Sequence, residues 1–376
     1  MAGTITKKAE NKWQIRVFLG RDANGKTKHF NKTIEGTKRQ AQQFLTAKLR
    51  ERDLGIFVEP SSQLLSKYLD DWLVEVAKPR VRESTFSSYE MIVRNYVKPK
   101  IGMKRLSEVD ARQVQMLYSD LIARGLSPRT VRYTHSVLSS AMDQAVKWKL
   151  IIQNPCKQCD LPRQSSSEML ALSPDEARRF LEAAKDDKYY ALFLLAIQTG
   201  MRPEEYLGLQ WKDIDFENAA ILVKRALVWK RKGGGFYFTD PKTKKSQRSI
   251  PISDSLVFEL KRHRTNSLER MMKFAPELKK LDLVFTSEVG TPVQPKNLRD
   301  RHFFPIRNKA GIPKIRLYDL RHTTATLMLA SGENPKVVSE RLGHASIVLT
   351  LDTYSHVLPT MQRDATERLE NLMFGT

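Results

Sequence analysis

The chain has 376 residues, 41% of them hydrophobic, and a formal net charge of +22 from 64 Lys and Arg against 42 Asp and Glu. That length points to two or three domains rather than one core, and the apolar fraction excludes global disorder. A positive excess of this size favours a polyanion partner, because each phosphate met by Lys or Arg releases condensed counterions. No apolar run reaches the ~20 residues a bilayer span needs. Met1 to Lys12 is polar and has no signal-peptide core, so a cytoplasmic protein without a membrane partner is expected. The two cysteines, Cys156 and Cys159, exclude a disulfide framework. Their C-x-x-C spacing is half a zinc site, but no second Cys/His pair follows at ligand spacing. They read as free thiols in a linker, and no metal or other cofactor is expected.

Residues 1–58 alternate like a small sheet. Trp13, Ile15 and Phe18 mark one strand and Phe30 to Ile34 another, with Asp22-Ala23-Asn24-Gly25 as hairpin chemistry between them. A helix is predicted from Thr37, as N-cap, to about Arg52. A basic three-stranded sheet plus one helix suits a DNA-groove reader, with Lys28 and Arg39 as candidate contacts. Glu59-Pro60-Ser61-Ser62 reads as a linker.

A helical bundle is predicted over residues 63–160. Leu65, Tyr68, Leu69, Trp72 and Leu73 recur at helical spacing, as do Tyr89, Ile92, Val93 and Tyr96. Further helices are expected from Asp110 to about Ala123 and from Ser127 to about Trp148, the latter with Ser127 as cap and Pro128 at its first position. Arg80, Arg82, Lys98, Lys100, Arg129 and Arg132 fall near helix ends and loops, where phosphate contact is natural. Asn154 to Ser167, with two prolines and a Ser run, reads as a second linker.

The last domain is expected over residues 168–376. It opens at Ser173-Pro174-Asp175-Glu176, a capping box with Pro at N1, and mixes helices with a β-region around Ile221 to Ile252. The residues that bear chemistry lie here. Thr199-Gly200-Met201-Arg202-Pro203-Glu204-Glu205 places Arg202 at a helix–loop–helix junction. Pro241-Lys242-Thr243-Lys244-Lys245 leads into the strand Arg248 to Ile252. Then follow Leu317-Tyr318-Asp319-Leu320-Arg321-His322-Thr323, Leu342-Gly343-His344-Ala345-Ser346 and Asp352-Thr353-Tyr354-Ser355-His356.

In this order, with Tyr354 ten positions after His344, these boxes resemble those of the tyrosine recombinase (phage integrase) family. The succession of segments also resembles integrases of temperate phages and conjugative elements. The resemblance implies a multidomain, mainly α fold with small β-sheets. An arm-site DNA-binding sheet-plus-helix module would be followed by a helical core-site bundle and a mixed α/β catalytic domain. It implies site-specific DNA recombination through a 3′-phosphotyrosyl link. The partners implied are double-stranded DNA carrying core and arm attachment sites, a homotetramer on DNA, an excisionase and a host DNA-bending protein, in a bacterial nucleoid.

The chemistry of the residues agrees. Breaking DNA without losing the bond energy needs a covalent intermediate, so a side-chain oxygen must attack phosphorus, and Tyr354 fills that role. Charge developing on the equatorial oxygens needs fixed donors, matched by Arg202 and Arg321. The departing 5′-oxygen needs a proton, from Lys242 or, if the hairpin is longer, Lys244. His344 would bond the phosphate or take the tyrosine proton. Tyr318 stands where the family commonly has His, and a phenol can also donate to a phosphate oxygen. His322, Tyr189, Tyr190 and Tyr206 read as structural. The rival readings are a type IB topoisomerase-like enzyme and a non-catalytic DNA-binding regulator retaining the fold. The basic N-terminal module and the helical middle domain argue for the integrase over the topoisomerase, and a covalent protein–DNA adduct would separate both enzymes from the regulator.

Overall fold

The structure is a computed structural model that describes residues 3–21, 25–54, 62–164, 169–230, 234–240, 247–271, 280–354, 366–367 and 369–375, without the side chains of 268–271 and 352–354. It forms two compact units, Met1–Ser166 and Ser167–Thr376. Among the described residues no helix is long and apolar enough to cross a membrane.

The first unit begins with strands β1 (Gly3–Ala9), β2 (Lys12–Arg21) and β3 (Thr27–Glu35), antiparallel in the order β1-β2-β3. Alternation along β2 turns Ile15 and Val17 onto the face covered by the helix Lys38–Asp53, where they meet Phe30, Ala41 and Leu45. Phe18, grouped with Ile15 by the sequence, has opposite parity and meets His29 instead, at 5.5 Å between rings. Thr37 caps the helix through a reciprocal box with Gln40. Of the expected turn, Asp22 to Asn24 lie outside the described residues, and Arg21 pairs with Thr27 beyond it.

The bundle follows, around Leu65, Leu69, Trp72, Leu117, Leu138 and Met142. Two of its helices widen before a proline. Leu65–Trp72 passes through a π turn, Leu73–Ala77, into Lys78–Arg80, and Glu83–Ile92 passes through Val93–Val97 into Lys98–Ile101. Proline brings no N–H and its ring crowds the carbonyl four residues back. The wider turn relieves that crowding, as Lys78 and Lys98, each just before a proline, bond the carbonyls of Leu73 and Val93. Asp110 and Ser127 cap Ala111–Ala123 and Pro128–Lys147 as expected.

The second linker needs correction. Its first part belongs to the bundle: Pro155–Gln158 is a 3₁₀ turn, and Asn154, 5% exposed, donates to Ser139 and Asp143. Cys156 is fully buried in the bundle core rather than in a linker, and burial pushes its thiol up to about 12. Both cysteines are free.

In the second unit the buried helix Tyr190–Thr199 is central, and Asp319–Ala330 packs against it. Ser173 and Glu176 form the expected box before Pro174–Ala184. A small sheet has the order β4 (Ile214–Asp215), β5 (Ala220–Val223) and β8 (Arg248–Pro251), and a separate hairpin, β6 (Ala226–Trp229) and β7 (Phe236–Thr239), falls between β5 and β8 in the chain. Helices Asp254–Met271, Pro335–Leu342 and Ile347–Tyr354 follow. A third widened turn, Arg299–Phe303, again stands before a proline, Pro305.

Candidate active site

Two glycine-ended helices frame the site. Tyr190–Thr199 stops at Gly200 (φ 64°) and Pro335–Leu342 at Gly343 (φ 66°), left-handed conformations that favour glycine. Their last carbonyls carry the negative end of the helix dipole. Arg321, on the first turn of Asp319–Ala330 and 2% exposed, reaches between them. Its Nη1 donates to the Gly200 carbonyl at 2.7 Å and its Nη2 to the Leu342 carbonyl at 2.6 Å. Burial, then the neighbouring Arg202, lowers its pKa to about 10, which leaves it protonated at neutral pH.

Arg202 is the N-cap residue of Pro203–Leu207, with Pro203 at N1. Glu205, three residues on and 3% exposed, accepts from its backbone N–H at 2.9 Å and from its Nη1 at 2.7 Å. Nη2 leans toward the Gly343 carbonyl at 3.4 Å. Burial alone would raise the Glu205 carboxyl, but Arg248 and Arg202 outweigh it and hold the group below the usual range.

His344 follows Gly343 in the connection ahead of Ile347–Tyr354. Its Nδ1 lies 2.8 Å from Oγ1 of the fully buried Thr350. Burial, then Arg321, Arg202 and Arg248, lowers its pKa to about 4, so the imidazole is neutral at pH 7. Thr350 sits in the helix that ends with Tyr354, one turn before it. Tyr318 precedes Arg321 by one turn; the residue is 39% exposed and its ring stands edge-on to His322 at 5.4 Å. His322 is half-buried, and burial lowers its pKa. Tyr189 and Tyr206 are buried in the core, with Tyr190 packed at its edge.

Arg202, Arg321 and His344 thus come together from three separated segments. The side chain of Tyr354 and all of Lys242 and Lys244 lie outside the described residues. Two residues of the cluster escaped the sequence reading, Glu205 and Arg248. A signal for the latter was available. Arg248 shares strand parity with the buried Ile250 and Ile252, so its side chain must turn inward and find an acid.

The candidate DNA contacts divide. Lys28, Arg39, Arg80, Arg82 and Arg129 are exposed. Lys98 and Lys100 are ion-paired to Asp70 and Asp120 within the bundle, and Arg132 donates to the Pro162 carbonyl. Rearranging those three to meet phosphate would cost existing bonds.

Comparisons with known proteins identify the family. The phage integrase family model matches residues 171–361, and the phage integrase N-terminal SAM-like domain matches residues 64–122. The tyrosine recombinase XerC-like protein of Caldanaerobacter subterraneus subsp. tengcongensis is 33% identical over 97% of this chain and 97% of its own length. The ICEBs1 integrase of Bacillus subtilis is 27% identical over 98% of this chain and 99% of its own. The Tn1549 transposon integrase, solved in complex with a circular intermediate DNA, shares the fold: TM-score 0.72 and 24% identity, over 82% of this chain and 100% of that one. This chain therefore belongs to the phage integrase family and is a tyrosine site-specific recombinase.

Proposed function

We propose that Tyr354 is the nucleophile and that Arg202, Arg321, His344, Tyr318 and Lys242 complete the catalytic centre. The reading rests chiefly on one observation: two guanidinium groups are fixed beside a neutral imidazole, whose Thr350 partner lies on the helix that ends at Tyr354. A scissile phosphate between the arginines has its non-bridging oxygens met by preorganised donors, with no reorganisation as charge develops. The Tyr354 oxygen attacks phosphorus, His344 receives the phenolic proton at a ring nitrogen, and the 5′-oxygen leaves with a proton from Lys242 or Lys244. The product is a 3′-phosphotyrosyl link. A 5′-hydroxyl from the partner duplex then attacks phosphorus and gives its proton back to the lysine, while the His344 imidazolium returns its proton to the departing Tyr354 oxygen.

The substrate of this reading is duplex DNA, in line with the DNA-bound Tn1549 integrase. Residues 63–160 and 168–376 would clasp core sites and residues 1–58 would bind arm sites. Four copies would assemble on two duplexes, with an excisionase and a host DNA-bending protein setting direction, in the bacterial nucleoid. Nicked duplex substrate tests the nucleophile. Tyr354→Phe is expected to abolish covalent adducts on denaturing gels while gel-shift affinity stays within about threefold, since one oxygen is lost and no phosphate donor changes. Adducts that persist in the variant would assign the attack to another residue.

A further inference from the structure

Arg248 has no role in the reaction as described above, yet it is among the most constrained charges in the second unit. It opens β8, directly after the segment that carries Lys242 and Lys244, and its side chain is 7% exposed. Nε donates to the Arg341 carbonyl at 2.6 Å, Nη2 to Glu205 Oε2 at 2.9 Å and Nη1 to Glu205 Oε1 at 3.3 Å. It also packs beneath the turn before His344. A Cβ at Gly343 would stand 3.0 Å from Nη1 and 3.1 Å from Cδ of Arg248. One side chain therefore touches both the carboxylate that holds Arg202 and the turn that delivers His344.

The charges sharpen the point. Arg202 and Glu205 alone form a neutral pair, and a neutral pair has little attraction for a phosphodiester. With Arg248 sharing the same carboxylate, the three groups carry one net positive charge. Glu205 is then a bridge between two cations rather than a counter-ion that spends Arg202. Remove Arg248 and both carboxylate oxygens are left to Arg202, drawing its guanidinium back from substrate.

We propose that Arg248 is a positioning residue for strand cleavage: by dividing its donors between Glu205 and the Arg341 carbonyl, it keeps Arg202 aimed at the phosphate and holds the Gly343–His344 turn in register. It acts through Arg202 and His344 and does not itself meet the DNA. The inference rests on the assignment of Arg202 to the scissile phosphate made above.

The test is single-turnover cleavage of a nicked core site by the full-length protein, with melting temperature, gel shift and the pH profile measured alongside. Arg248→Lys keeps the charge but has no fork to span Glu205 and the Arg341 carbonyl together. It is expected to fold and bind DNA near parental strength, yet to cleave more slowly by about 10- to 100-fold. Its acid limb should also shift from the parent's, because the turn bearing His344 is no longer fixed. Arg248→Met should be slower still. Adding Glu205→Gln to it should recover about tenfold, because the carboxylate that cancels Arg202 is gone. A merely structural arginine would lose rate only as far as it loses folded protein, and the second substitution would not restore it. Cleavage by Arg248→Lys within about threefold of the parent per folded molecule, or a double variant no faster than Arg248→Met, overturns the proposal. Failure of the underlying reading shows differently: Arg202→Lys would then cleave within about threefold of the parent, whatever the Arg248 variants do.

Discussion

A neutral imidazole between guanidinium groups changes character when a phosphate arrives. In the free protein His344 titrates near 4, because burial and three arginines oppose its proton. A bound phosphate neutralises much of that repulsion, so the pKa should rise in the complex. If neutral His344 takes the tyrosine proton, the acid limb of kcat, which reports the complex, lies at higher pH than that of kcat/KM, which reports free protein. Cleavage at saturating and limiting DNA between about pH 3.5 and 8 measures both, and His344→Gln should abolish the separation. Coincident limbs in the parent would remove His344 from proton transfer. Stability is linked to the same shift. Between its unfolded value near 6.5 and about 4 the unfolded chain binds more protons, so lowering pH through that window destabilises the fold, with no further loss below. Tyr318 is a separate case. Tyr318→Phe is expected to cost about 10²-fold in cleavage rate if the hydroxyl donates to phosphate, and Tyr318→His to restore much of it with a new dependence between pH 6 and 7. A rate equal to the parent's in Tyr318→Phe would reduce the ring to packing. Arg202, Arg321 and His344 were legible because each sits in a dense local box. For Arg248 only its burial was legible, through its parity with Ile250 and Ile252; its partner Glu205 lies 43 residues away in the chain.

Helix ends were legible where a side chain closes them. Thr37, Asp110, Ser127 and Ser173 each accept from a backbone amide of the first turn, a bond fixed by residues three apart. Features set by long-range packing were not. Asn154 to Asp160 has linker composition, but Asn154 satisfies Ser139 and Asp143, and Asp160 bonds Gln115, which draws the segment onto the bundle. The π turns before Pro79, Pro99 and Pro305 have a local cause. Its outcome, a widened turn rather than a break, depends on the buried faces on either side. Gly200 tests how an element's end serves the site. A methyl there would lie 2.6 Å from Leu342 Cδ2 on a backbone at φ 64°, and the Gly200 carbonyl anchors Arg321. Gly200→Ala is expected to cost about 1–3 kcal/mol in chemical denaturation and to slow cleavage further than its folded fraction explains. Stability within about 0.5 kcal/mol of the parent would show that the turn adapts and the anchoring is loose.

Pro/Ser stretches and changes of period, from alternation in residues 1–58 to helical spacing in 63–160, set the expected order of parts, and the structure divides the chain between Ser166 and Ser167. The N-terminal module has its own core of Ile15, Val17, Phe30, Ala41 and Leu45, none of which belongs to the bundle cluster. Deleting it therefore leaves the bundle's interior filled. A chain beginning at Ser61 is expected to cleave a nicked core site within about threefold of the parent, while losing recombination that depends on outlying arm sites. Electrostatics gives a second readout. With +22 on the chain, binding should weaken steeply with salt, and loss of the basic module should make the log–log slope shallower only on DNA that carries arm sites. On core-only DNA the two slopes should coincide. If they differ there as much as on arm-bearing DNA, residues 1–58 contribute general charge rather than a second site, and the arm-binding assignment fails.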